Sequence, residues 1–96
     1  STFKDFISGG VTLVDFSAEW CAPCRMLVPI LEKLAEDMTD KAVIAKVDID
    51  QSPNTAASMN ITSVPTLILF KNGKEVNRTV GLKDEESLLE LLNEAL

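Results

Sequence analysis

The chain has 96 residues, enough for one domain and too few for two, since domains usually run to about 100–150 residues. Hydrophobic residues make up 46% and charged residues 25% of the sequence, a balance that allows a buried core and excludes a disordered chain. Nine basic against fifteen acidic residues give a net charge of −6, so we do not expect nucleic acid as a partner. The apolar stretches are too short to span a bilayer, so we do not expect a membrane as a partner either.

The first half of the chain predicts a short helix, a strand and a long helix. Phe3 to Ser8 is typical of a short helix ended by Gly9-Gly10, with its apolar face formed by Phe3, Phe6 and Ile7. Val11 to Phe16 is almost entirely apolar and rich in β-branched residues, as in a strand covered on both faces. A long helix is predicted after Cys21, because apolar residues recur there at spacings of three and four: Leu27, Ile30, Leu31, Leu34, Ala35 and Met38.

The second half predicts three strands and two helices. By composition Ala42 to Val47 is a second buried strand, and Ser52-Pro53 starts a short helix with serine as its N-cap. Two further strands, Thr66 to Phe70 and Glu75 to Val80, flank an Asn-Gly pair that favours a tight hairpin, so they should be antiparallel. A last helix is predicted after the capping residue Asp84, with an apolar stripe of Leu88, Leu89, Leu92 and Leu96.

This order of elements predicts the fold class. Strand, long helix and strand form one parallel crossover, and the hairpin adds antiparallel strands to the same sheet. We therefore expect an α/β protein, a single domain over residues 1–96, with a mixed sheet and helices on both faces.

A pair of cysteines, Cys21 and Cys24, lies where the first strand's loop meets the long helix. A bond between them would close too small a loop to stabilise the fold appreciably. The helix N-terminus places partial positive charge beside Cys21, which stabilises the thiolate that attacks in disulfide exchange. Cys24, one turn further in, should remain a thiol until it is needed. A Cys-x-x-Cys pair at a strand-to-helix junction therefore predicts a thiol–disulfide redox site.

The residue inventory removes other chemistries. The chain has no His, which excludes the Ser-His-Asp and Cys-His nucleophile schemes and the common His-containing zinc sites. Tetrahedral zinc needs four ligands and the chain has two cysteines, so no metal site is predicted within one chain. A cluster shared between two copies remains an alternative.

Asp15 interrupts the first strand. Ionising this carboxyl group inside a strand that is covered on both faces would cost several kcal/mol, so the pKa of Asp15 should be raised. One interpretation is structural, with Asp15 at an unpaired edge or paired with Lys46 of the neighbouring strand. The other is functional, with Asp15 as the proton acceptor for Cys24, which must ionise to release a mixed disulfide. The residues alone leave both interpretations open.

The sequence resembles the thioredoxin family over nearly its whole length. The segments that carry the resemblance, in family order and spacing, are Val14-Asp15-Phe16, Ala18 to Cys24, Val64-Pro65-Thr66 and Phe70 to Gly73. The resemblance implies a thioredoxin-like fold whose sheet has four strands, because the family's N-terminal edge strand is missing. The strand Ala42 to Val47 would then be an exposed edge.

The resemblance also implies roles for individual residues. Cys21 would be the attacking cysteine, Cys24 the resolving cysteine and Asp15 the buried acid, with Lys46 as an auxiliary residue. The substrate-binding surface would consist of Trp20, Ala22, Pro23, the backbone of Val64, a cis-proline at Pro65, and Gly81 on an apolar rim.

Three residues depart from the family pattern. Ala22 stands where glycine is usual, Ser17 replaces an aromatic residue, and Arg25 replaces lysine while keeping the positive charge. Ala22 would alter the loop between the cysteines and hence the redox potential, and Ser17 would leave Trp20 less covered.

By resemblance, the function expected is that of a cytoplasmic, monomeric protein-disulfide reductase. Thioredoxin reductase would restore its dithiol with electrons from NADPH, disulfide-containing proteins would be its substrates, and no bound cofactor is expected. One alternative is an oxidant or isomerase of an exported compartment, but such relatives commonly carry a His between the cysteines, which is absent here. Another alternative is a non-catalytic docking subunit.

Overall fold

Four strands and four helices make up the computed structural model, which describes residues 2–96; Ser1, the first residue of the predicted domain, lies outside that range. In chain order the elements are α1 (Phe3–Phe6), β1 (Val11–Ser17), α2 (Ala22–Asp37), β2 (Val43–Asp48), α3 (Pro53–Ser58), β3 (Thr66–Lys71), β4 (Lys74–Val80) and α4 (Glu85–Asn93). Each element lies within a few residues of its predicted position.

The strands form one mixed sheet in the order β2-β1-β3-β4. β1 pairs with β2 in parallel and with β3 antiparallel, and β3 pairs antiparallel with β4. Every residue of β1 is buried, because the strand has a neighbour on each side and helices on both faces. The predicted α/β class, with a mixed four-stranded sheet between helices, is confirmed.

Alternate residues of β1 contribute to two separate apolar cores. Leu13 packs with leucines of α2 and α4 on one face of the sheet. Val14 and Phe16 pack on the other face, together with Phe3 of α1 and Met59, which ends α3. The odd-numbered residues of β1 therefore face α2, the helix that begins at the cysteine pair.

The prediction that Ala42 to Val47 is a buried strand was wrong. The strand, Val43–Asp48, lies at the edge of the sheet, none of its residues is buried, and the side chain of Val43 is half exposed. An apolar, β-branched composition predicts that a strand forms, whereas its burial depends on which elements cover it. The exposed edge that the resemblance implied is confirmed among residues 2–96.

Three apolar side chains that were predicted to face the core are exposed instead, namely Phe6, Ala35 and Leu96. The helix α1 ends at Phe6, short of the predicted Ser8, and its side chains that pack against the sheet are Phe3 and the C-cap residue Ile7. The helix α4 ends at Asn93, so Leu96 lies beyond it, and Leu91, which was not among the predicted apolar positions, is buried within the helix.

Two helix caps were predicted, and one of them forms a side-chain bond. The Asp84 carboxylate accepts a hydrogen bond of 2.9 Å from the Ser87 amide at the start of α4. Ser52 occupies the N-cap of α3 as predicted, but its hydroxyl makes no capping bond.

The turn between β3 and β4 has the predicted Asn-Gly geometry. Asn72 and Gly73 both adopt positive φ, at 51° and 86°, which matches the twist of a tight hairpin. We expect Gly73→Ala to lower the free energy of unfolding by about 1 kcal/mol, because an L side chain is strained at this φ. The nearest atom to an added Cβ would be Ser8 Cα at 3.7 Å, an ordinary contact, so the loss comes from the backbone.

The measurement for this turn is urea denaturation with Gly9→Ala as the matched control. Gly9 has no positive φ, and nothing lies within 4 Å of a Cβ added there. The control should leave stability unchanged or slightly raised, since alanine restricts the unfolded chain. Equal losses in the two variants would show that the turn conformation is not the cause.

Candidate functional site

The two cysteines lie at the first turn of α2 and form a disulfide with each other. Cys21 is the N-cap of the helix, and its sulfur accepts a hydrogen bond of 3.2 Å from the Cys24 amide. Ala22 and Pro23 follow as exposed residues of the first turn, where proline loses no helical hydrogen bond. The start of the helix thus holds the two cysteines close enough for their sulfurs to bond, with the Cα atoms 5.2 Å apart.

The electrostatics at Cys21 suit a reactive sulfur. A capping sulfur faces the positive end of the α2 dipole and accepts a backbone N–H bond. When the disulfide opens, both interactions stabilise a thiolate on Cys21 over the protonated thiol. Cys24 is more enclosed, at 1% exposure against 5% for Cys21, as predicted for a residue one turn into the helix.

The loop that precedes β3 packs against the cysteines. The peptide bond between Val64 and Pro65 is cis, as the resemblance implied. The Val64 carbonyl oxygen lies 3.8 Å from Cys21 Sγ, and Val64 packs on the small cluster that contains both cysteines. Gly81 donates its amide hydrogen bond of 2.8 Å to the Pro65 carbonyl, which ties the end of β4 to this loop. Cys21, Val64, Pro65 and Gly81 are therefore brought together from distant parts of the chain.

Trp20 presents a large apolar surface immediately before the cysteine pair. Its side chain is 66% exposed, and its indole Nε1 donates a hydrogen bond of 2.9 Å to the Asp50 carboxylate. The Asp50 amide in turn donates to Asp48 Oδ1 at 2.8 Å. Sequence reasoning missed Asp50 as the residue that orients Trp20. The signal was present in Asp48, which ends β2, and in Asp50 two residues later, since a strand parallel to β1 must finish at the same end of the sheet as the cysteines.

Asp15 is completely buried on the α2 face of β1. In the sheet it lies between Lys46 of β2 and Leu67 of β3. Neither carboxylate oxygen has a hydrogen-bond partner, and no ion pair with Lys46 is formed among the residues that the structure describes. Burial raises the pKa of Asp15 to about 6, with the charge of Lys46 acting in the opposite direction. The predicted rise in this pKa is confirmed.

Residues 2–96 contain no group of three or more His, Cys, Asp or Glu side chains that could hold a metal ion. No helix in this part of the chain combines the length and apolarity needed to cross a membrane.

A Cys-x-x-Cys disulfide that caps a helix, on a mixed sheet and against a cis-proline loop, defines the thiol–disulfide oxidoreductases with a thioredoxin-like fold. Comparisons with known proteins agree with this class. The family model for thioredoxin matches residues 1–94. The chain is 54% identical over 91 residues to a thioredoxin of Chlamydia trachomatis serovar D, which covers 95% of this chain and 88% of that protein.

Two further comparisons extend the match. A thioredoxin of Staphylococcus saprophyticus is 49% identical over 96 residues, which is 100% of this chain and 92% of the relative. The solved structure of a mutant thioredoxin from Halobacterium salinarum NRC-1 superposes with a TM-score of 0.86 at 41% identity, over 94% of this chain and 78% of that chain. The chain belongs to the thioredoxin family and is a protein thiol–disulfide oxidoreductase with Cys21 and Cys24 as its redox-active pair.

Proposed function

We propose that this chain acts as a single domain over residues 1–96 that reduces disulfides in other proteins, and that a flavin-containing thioredoxin reductase restores its dithiol with electrons from NADPH. The observation that carries the proposal is the Cys21–Cys24 disulfide at the N-cap of α2, beside an exposed apolar surface. We further propose that the protein works in the cytoplasm as a monomer, without a bound cofactor, a nucleic acid or a membrane as a partner.

The reaction uses the two cysteines in order. The Cys21 thiolate attacks one sulfur of the substrate disulfide, forming a Cys21–substrate bond and releasing the other substrate sulfur as a thiolate that takes up a proton. Cys24 then loses its proton, and its sulfur attacks Cys21. The second substrate sulfur leaves with the electron pair and is protonated. Two electrons have passed to the substrate, and the Cys21–Cys24 disulfide is the oxidised product.

In this proposal Asp15 accepts the proton of Cys24. Both residues are buried, Asp15 faces α2, and Cys24 is the first buried residue of that helix. A carboxyl group with a pKa of about 6 is mostly ionised at neutral pH and is still a better base than an ordinary aspartate. Lys46 is the auxiliary residue, because its charge beside Asp15 favours the ionised carboxylate.

The proposed substrate surface is shallow and suits an extended protein segment. Trp20, Ala22 and Pro23 are exposed around the disulfide. The Val64 backbone and Pro65 line one side, and Gly81 forms the far rim. Three surface clefts of 260 to 380 Å³ lie away from both cysteines, so none of them supplies a pocket for a small substrate.

The sequence between the cysteines supports a reductant over an oxidant. A His there would stabilise the Cys21 thiolate further and so favour the reduced protein, which is the property of an oxidant. The dipeptide is instead Ala22-Pro23, and the chain has no His.

Insulin reduction tests the proposal. With NADPH and thioredoxin reductase, the protein should catalyse insulin precipitation together with NADPH oxidation, and omission of either protein should stop both. A parallel assay driven by dithiothreitol separates the chemistry from the partner. If the protein is active in the dithiothreitol assay but not in the NADPH assay, the partnership with thioredoxin reductase is overturned. If it is inactive in both assays, its proposed function as a disulfide reductase is overturned.

A further inference from the structure

Ser17, the last residue of β1, is a buried hydroxyl that the reaction above does not use. It is completely buried, and its Oγ has no hydrogen-bond partner. Among residues 2–96 the other buried side-chain oxygens without a hydrogen-bond partner belong to Asp15 and to Glu85, and the Glu85 oxygen lies 3.9 Å from Lys33 Nζ. Buried polar groups are nearly always satisfied by protein or by internal water, so Asp15 and Ser17 need a shared explanation.

The two residues are neighbours on one face of the sheet. Side chains two positions apart in a strand point to the same side, which here is the side of α2 and Leu13. Their Cα atoms are about 6.6 Å apart along an ordinary strand. The structure shows no direct bond between the two side chains, and at this spacing one water molecule with bonds of about 2.8 Å to each could bridge them. Such a water needs two to four polar partners, and Ser17 Oγ with the two Asp15 oxygens provides three.

Few other groups can affect the Asp15 carboxylate. From β2 the facing charge is Lys46, and β3 contributes Leu67. The side chains of α2 that are buried against the sheet are Cys24 and three leucines, and those of α4 are leucines. Ser17 is therefore the one residue with a hydroxyl group on this face of β1, and in the chain it lies between Asp15 and the segment that leads to the cysteines.

We propose that Ser17 is a positioning residue for Asp15: its hydroxyl holds an internal water molecule against the Asp15 carboxylate and thereby stabilises the ionised acid. The inference rests on the proposed role of Asp15 as proton acceptor. Because hydrogen bonds to a carboxylate favour its charged form, Ser17 sets the pH range in which Asp15 can take the proton of Cys24.

Ser17→Ala should raise the pKa of Asp15 by about one pH unit, because the ionised carboxylate loses the donor network. The rate at which Cys24 resolves a mixed disulfide should then fall about tenfold well below both pKa values, where the ionised fraction is proportional to the acid dissociation constant. Toward pH 9 the two proteins should react at the same rate, since Asp15 is ionised in both.

The experiment follows the Asp15 side-chain ¹³C carboxyl resonance against pH, together with single-turnover resolution rates from pH 5 to 9. Thr12→Val is the matched control, because it removes a buried hydroxyl from the opposite face of β1 and should shift neither profile. Ser17→Thr keeps the hydroxyl and should retain the original titration, which separates the hydrogen bond from a loss of packing. A Ser17→Ala titration that superposes on the original would overturn the proposal.

Asp15→Asn distinguishes failure of this inference from failure of the proposed function. If the resolution rate keeps its pH profile in Asp15→Asn, Asp15 is not the proton acceptor, and the carboxyl titration alone decides whether Ser17 is linked to it. If Asp15→Asn changes the profile and Ser17→Ala leaves both the titration and the profile as they were, the Ser17 proposal is wrong.

Discussion

Replacing Cys21 with serine should abolish insulin reduction, whereas replacing Cys24 with serine should yield a protein that traps its substrate as a mixed disulfide. A serine hydroxyl at the N-cap of α2 still accepts the Cys24 amide, but it does not attack a disulfide at neutral pH. The expected loss of turnover in Cys21→Ser is at least about three orders of magnitude, as when other nucleophiles are removed. Cys24→Ser keeps the attacking thiolate and lacks the sulfur that releases the product.

The measurement combines the insulin assay with mass spectrometry under non-reducing conditions. Cys24→Ser should gain the mass of a substrate chain, the adduct should disappear with dithiothreitol, and the Cys21→Ser,Cys24→Ser double variant should form none. Because the serine variants lack the disulfide, their folding stability is compared with that of the reduced wild-type protein. The difference should be small, since the disulfide joins residues only three positions apart and constrains the unfolded chain little. If Cys21→Ser retained full biological activity, the docking-subunit alternative would replace the reductase.

Replacing Asp15 with asparagine should stabilise the protein at pH 8 by up to about 3 kcal/mol and leave it close to the wild type at pH 4. The pKa of this carboxyl rises from 3.8 to about 6 on folding, and each unit corresponds to about 1.4 kcal/mol. The folded state binds the proton more tightly than the unfolded state, so the wild-type protein loses stability as the pH rises from about 4 to 6. About one unit above the folded-state pKa the loss is complete.

Asparagine has nearly the volume of aspartate and does not ionise, so the gain should appear across the same pH window. Urea denaturation at intervals from pH 4 to 8 measures it, and the amide's own unpaired groups reduce its size without changing its sign. The same variant should accumulate the mixed disulfide, because Cys24 has lost its proton acceptor. A lower stability than the wild type at pH 8 would instead support an Asp15–Lys46 ion pair that holds the sheet together.

Much of the fold could be predicted from local patterns. The three- and four-residue spacing of α2, the Asn72-Gly73 turn and the Asp84 cap each depend on residues a few positions apart, and each forms as predicted. The prediction for β2 was wrong about burial because an edge strand and a central strand have the same composition when one face is covered. Leu96 is exposed because the apolar spacing continues beyond Asn93, where α4 ends, whereas Phe6 lies inside α1, whose sheet-facing side chains are Phe3 and the C-cap residue Ile7.

The cysteine pair and its place at the start of a helix were determined by the sequence alone, because the spacing, the N-cap and the helical pattern lie within one short segment. The isolation of Asp15, the bond between Trp20 and Asp50 and the approach of Val64 to Cys21 were decided by the tertiary structure alone. Burial and hydrogen bonding depend on groups 30 or more positions away in the chain, and only the packed structure brings those groups to the same end of the sheet.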